Sequence, residues 1–256
     1  MSDASPSPPF SHAAHAALVR ELGRVSRLHA DRRADPPLAV ALERVAAWQA
    51  QRLAFTYRDL AAQPRYADAI VFFEADLYGG ADFARRDADL ARIVPAMVLM
   101  LPERVIASVA QATELNALSQ ELDRALLERL PRRDGAMTVA DYCRAYRSAG
   151  DRAARARQVR LIGEIGAALD GFVRTPLIGM ALVMMRQPAR LAGFGVLHDF
   201  LERGFAAFEK MHGAAAFLAT IDRRERELME AIYAGDDAPF PDPVACADDR
   251  AAAARS

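Results

Sequence analysis

Lysine is almost missing from this chain. Of its 33 basic residues only Lys210 is not arginine, and alanine is abundant, a pairing that reads as coding bias rather than as an arginine-rich binding surface. The formal net charge is -1, so no general attraction to nucleic acid or to an anionic membrane follows. Cys143 and Cys246 are the only cysteines, too few and too far apart for a disulfide scaffold or a zinc site, which fits a reducing compartment. Long apolar runs are missing too. Ile93 to Pro102 and Ile178 to Met185 fall short of the roughly 20 residues a membrane span needs, and Met1 to Phe10 has no charged-then-apolar leader pattern. The few glycines form no phosphate-cradling G-x-x-x-x-G-K-[ST] loop, no dinucleotide-binding G-x-G-x-x-G and no G-x-S-x-G elbow. The expectation is a soluble, cytoplasmic protein with no nucleic-acid partner and no membrane span.

What is present is helical periodicity, with no convincing strand alternation and no internal repeat. The fold class expected is all-α, a single multi-helix domain over residues 11–235, with a disordered tail at 1–10 and a flexible one at 236–256 where proline, aspartate and alanine dominate. Asp35 caps a helix that opens with Pro36 and Pro37. Glu103 to Leu130 reads as one long amphipathic helix, with Asn116 and Ser119 inside its apolar face, where polar groups bond across to a neighbouring helix or meet a ligand. Thr138-x-x-Asp141 has the form of a capping box. The helix Asp151 to Arg174 opens with Arg152, Arg155, Arg157 and Arg160, spread around its barrel as a solvated surface rather than a phosphate patch. Its Gly163, Ala167 and Gly171 recur every four residues, as if to admit another backbone, and Asp170 points inward. Leu177 to Met185 is apolar on all sides and is therefore expected at the centre of the domain, with Met180, Met184 and Met185 giving it an adaptable surface. Pro188 is expected to begin a separate short helix.

The densest stretch runs from Ile70 to Pro95. Val71, Phe73, Glu74, Leu77 and Tyr78 share one broad helical face, Gly79 and Gly80 end that helix, and Asp82 caps the next. The Glu74 carboxylate falls among apolar neighbours and needs a partner or an altered pKa. Asp76 lies in a last helical turn, where the macrodipole disfavours it and where Arg85 or Arg86 could offset it. Such a corner is either a salt-bridged joint or a ligand-facing site.

The run Phe72-Phe73-x-x-Asp76-Leu77-Tyr78-Gly79-x-x-Asp82-Phe83-x-x-Arg86-Asp87 resembles the signature of a group of uncharacterised, mainly helical bacterial proteins. Phe200-Leu201-Glu202-Arg203-Gly204-Phe205-x-x-Phe208, followed by Phe217-Leu218-x-Thr220-Ile221, is similar to their C-terminal part. The resemblance covers about Ile70 to Tyr233 and implies a shared helical fold. It carries over no catalytic residue.

Two functional readings remain open. In the first the protein is a non-catalytic module that binds a partner protein or an apolar small molecule near the corner, through Glu74, Asp76, Tyr78, Asp82, Arg85, Arg86, Asn116 and Asp170. In the second it is a helical oxidoreductase of the di-iron carboxylate or haem-oxygenase-like kind, loaded with iron, manganese or haem. Its ligands would be Glu74, Asp170, His198 and Glu202, which must converge within about 5 Å because metal-ligand bonds are near 2 Å. Glu209-x-x-His212 has the spacing that di-iron bundles use, but those need two such pairs and only one is present. The first reading is preferred.

Overall fold

The computed structural model describes residues 10–73, 88–92, 102–132 and 136–244, with side chains from residue 13 onward. Among these the chain is helical and contains no strand. The helices are α1 (Phe10–Ala34), α2 (Pro36–Thr56), α3 (Arg58–Ala61), α4 (Ala67–Phe72), α5 (Glu103–Arg129), α6 (Val139–Ser148), α7 (Arg152–Val173), α8 (Pro176–Leu191), α9 (Gly195–Lys210) and α10 (Ala215–Tyr233). They form one compact domain.

Local chemistry sets several boundaries where the sequence places them. Asp35 accepts a hydrogen bond from the Leu38 N–H ahead of the two prolines of α2. Thr138 accepts from the Asp141 N–H and donates its own hydroxyl proton to the Asp141 carboxylate, a variant of the capping box. Asp151 caps α7 through the Ala154 N–H. Gly150 and Gly213 take φ of 79° and 117°, the left-handed region that only glycine enters cheaply, and there the chain turns into α7 and α10.

The long helix α5 is the spine. Ile106 and Ala110 pack against Leu18 and Leu22 of α1, while Leu118 and Leu122 meet Leu161 of α7. At its C-terminal end, Leu126 and Leu127 join Leu42, Val45 and Trp48 of α2, Tyr142 and Cys143 of α6 and Ile232 of α10. A second apolar centre gathers Tyr57, Ile70, Phe72, Phe208, Met211 and Phe217 from α3, α4, α9 and α10 and the turns beside them. Although a loose tail was expected from residue 236, the chain is held as far as Pro243. Arg147 pairs with Asp237, Phe240 packs on Trp48 and Tyr142, and Pro243 is fully buried.

Three expectations need correction. The apolar helix is not at the centre: α8 lies on the surface, with Leu177 74% exposed, Met184 74% and Leu191 89%. It meets α7 at a bend of 87°, and among the described residues no single helix is long and apolar enough to cross a membrane. Pro188 starts no helix, because α8 runs through it to Leu191. Gly163 and Gly171 admit no neighbour, since a Cβ at either would meet nothing within 4 Å. Close approach happens instead at Gly166, against Leu218, and at Gly204, against the Phe72 ring.

Candidate functional site

Of the residues expected at the Ile70 to Pro95 corner, Glu74, Asp76, Tyr78, Asp82, Arg85 and Arg86 lie outside the described residues, as does most of the motif. The corner enters through Phe72 and Phe73, whose rings join those of Phe200 and Phe217. The other two expected site residues are engaged structurally. Asn116 accepts from Gln120 Nε2 at 3.0 Å. Asp170 receives Arg174 on one oxygen and the Ala214 N–H, at 3.0 Å, on the other, so it ties the end of α7 to the start of α10. Ser119 bonds across to α7, accepting from Gln158 Nε2 at 2.8 Å.

The metal reading needs Glu74, Asp170, His198 and Glu202 to converge. Glu74 is not among the described residues, and no group of three His, Cys, Asp or Glu side chains among them could hold a metal ion. His198 is buried on α9 with its Nε2 3.4 Å from Glu202 Oε1. Glu202 is committed to Arg186, whose Nη2 donates at 2.8 Å and holds the carboxyl below its ordinary pKa. Glu209 borders the groove described next rather than a ligand cluster.

That groove lies along α8. Arg186 with Glu202 and Arg190 with Asp199 staple α8 to α9 on one side, and Gly179 rests against the Phe205 ring. The opposite side faces outward. Leu177, Met180, Met184 and Leu191 follow one another at steps of three, four and seven, so they line one stripe, with Val183 and Met185 exposed beside it. Between this stripe, the Val173 corner and Phe205 lies an open groove of about 440 Å³, also bordered by Pro176 and Gly179. Monomeric proteins rarely expose a contiguous apolar surface of this kind without using it.

A second place was missed in the sequence. Arg52 of α2 is 6% exposed and donates two hydrogen bonds, of 2.6 and 3.0 Å, to the Glu225 carboxylate of α10, which also receives the Tyr57 hydroxyl at 2.6 Å. Burial works to raise the Glu225 pKa, and the Arg52 charge with these hydrogen bonds overcomes it, leaving the carboxyl below its ordinary value. Arg155 of α7 is 3% exposed, against the expectation that the arginines of this helix are all solvated. It lies over the Tyr146 ring, 4.2 Å from the centroid. Arg152 and Arg157 do stay at the surface, paired with Glu230 and Glu114. Nearby, Gln49 Nε2 donates at 2.7 Å to Asp123, whose pKa burial pushes up. The signal existed in the sequence. Gln49 and Arg52 share the face of Val45 and Trp48, and Arg155 stands four and seven residues before Val159 and Ile162, but a charged residue on an apolar face is easily discounted as rim.

No curated protein and no solved structure matches this chain. A family model described as a domain of unknown function (DUF8198) matches residues 28–239, which takes in every helix from α2 to α10. The chain therefore belongs to that family of domains of unknown function, DUF8198.

Proposed function

We propose that this protein is a non-catalytic helical module whose outward α8 face docks an amphipathic helix of a partner protein. The observation that carries the reading is the unpartnered apolar stripe from Leu177 to Leu191. Its spacing matches what a helix lying alongside would fill, one apolar contact per turn or so. At 1.5 Å per residue the stripe runs about 21 Å, longer than one small molecule spans. Met180 and Met184 in the stripe and Met185 beside it supply side chains that repack around a partner at little cost. The staples to Glu202 and Asp199 hold the helix in place, so the face is presented ready-formed.

The groove at the N-terminal end of the stripe favours a second reading, an apolar small molecule. Its volume, about 440 Å³, lies in the range of ligand sites. Asp76, Tyr78 and Arg86 stay in the proposal as residues that take part in binding.

The test is a photo-crosslinking amino acid at position 184, with one at the exposed position Arg223 of α10 as control. Docking of a helix yields crosslinks from position 184 to one partner segment, at steps of three and four residues, that disappear with Met180→Glu. Crosslinks equal to those from position 223 would contradict the reading. Crosslinks to a second copy of this chain would make the face a self-association surface instead.

A further inference from the structure

The interior polar centre carries an inference separate from the α8 face: we infer that the small cavity between Arg52 and Arg155 is a binding site for one halide-sized anion. The cavity is about 30 Å³ and lies under α2, α6, α7 and α10, lined on its polar side by Gln49, Arg52, Tyr142, Arg155, Gln158 and Glu225. That space takes a single small ion or a water and nothing larger.

The charges do not balance. Two arginines line the cavity, and guanidinium stays protonated under all physiological conditions. One carboxylate, Glu225, faces it as well, and both its oxygens are taken by Arg52 and Tyr57. Arg155 has no carboxylate within ion-pair distance among the described residues. Its hydrogen bonds are two long ones of 3.4 Å, to Gln158 Oε1 and the Leu122 carbonyl. A buried cation so weakly compensated is costly, and the Tyr146 ring face offsets only part of that cost. Asp123 accepts from Gln49 and does not line the cavity; the Arg155 charge favours its ionised form, but burial is the larger effect and works against it.

An independent observation points to the same spot. Arg52 Nε is fully buried and has no hydrogen-bond partner, while the two terminal nitrogens of that guanidinium are spent on Glu225. An anion in the cavity would accept from it, neutralise the excess charge of Arg155 and leave the carboxylate pair intact. It would act as a structural counter-ion at the junction of four helices. A water could satisfy the orphan N–H but supplies no charge.

The experiment uses the full chain at constant ionic strength, with sodium bromide exchanged against sodium gluconate, whose anion is too large for the cavity. Halide at ten times its dissociation constant should raise Tm by about 3 to 6 °C, with saturation, because a ligand of the folded state alone stabilises by RT ln(1 + [L]/Kd). The shift should be lost in Arg155→Met, and bromide crystals should show an anomalous peak between the two guanidinium groups. If Arg155→Met does not fold, the bromide peak in the unaltered protein decides alone. No saturable halide shift, or a cavity without anomalous signal, would overturn the inference.

Discussion

Arg52 and Glu225 stand 173 residues apart in the chain and meet through two hydrogen bonds, 2.6 and 3.0 Å, with Arg52 buried and the Glu225 side chain 14% exposed. The pair joins the second helix to the last, so it closes the domain. Removing one partner from a buried pair leaves an uncompensated charge, and Glu225→Gln should destabilise the fold by about 3 to 5 kcal/mol in urea unfolding. A loss under 1 kcal/mol would show that Arg52 has another counter-charge.

The same carboxylate sets an acid dependence. Its folded pKa lies below the unfolded one, so its contribution is full above about pH 4.3 and is lost as pH falls through the folded value. Asp123 has the opposite sign. Burial raises its folded pKa, so its ionisation weakens the fold as pH climbs from about 3.9 through that raised value. Asp123→Asn should therefore be at least as stable as the parent at pH 7, with the difference shrinking toward pH 4. A clear loss at pH 7 would mean that the Asp123 charge is needed, for instance against Arg155.

Two glycines separate crowding from flexibility. A Cβ on Gly204 would lie 2.9 Å from Cζ of Phe72, a rigid ring already packed against Phe200, so Gly204→Ala should cost about 1 to 3 kcal/mol. Gly163→Ala meets open space inside α7 and should gain up to about 1 kcal/mol. Thermal unfolding of the two variants should move in opposite directions.

Cys143 is fully buried, and burial pushes its thiol pKa up to about 12. In a Cys246→Ser background the native protein should not react with a thiol reagent at pH 8, where about one thiol in 10⁴ would be ionised. Full reaction should follow on unfolding in urea. Fast labelling of the native form would contradict the packing of α6.

The helical elements were legible because caps and breakers act locally. Asp35 and Thr138 do in the structure what their neighbours in sequence imply. The place of α8 was not legible, because periodicity reports which residues are apolar and not whether the chain itself supplies their partner. An all-round apolar helix looks alike whether it is core or docking face. The Arg52 to Glu225 pair was hidden for a related reason: a charge on an apolar helical face announces burial only when its counter-charge, 173 residues away, is known to return to it. The Glu74 to Arg86 corner, the most distinctive run in the sequence, remains a proposed participant in binding.

The docking reading rests on the outer face of α8 being idle in the folding of the isolated chain, and urea unfolding of a Leu177→Glu, Met184→Glu variant measures this directly. Exposed positions away from any packing change stability by no more than about 0.5 kcal/mol each, so the variant should unfold at nearly the parent midpoint. A loss of several kcal/mol, as burying a charge in a core would cause, would mean that this helix is internal packing and that the proposed docking face does not exist.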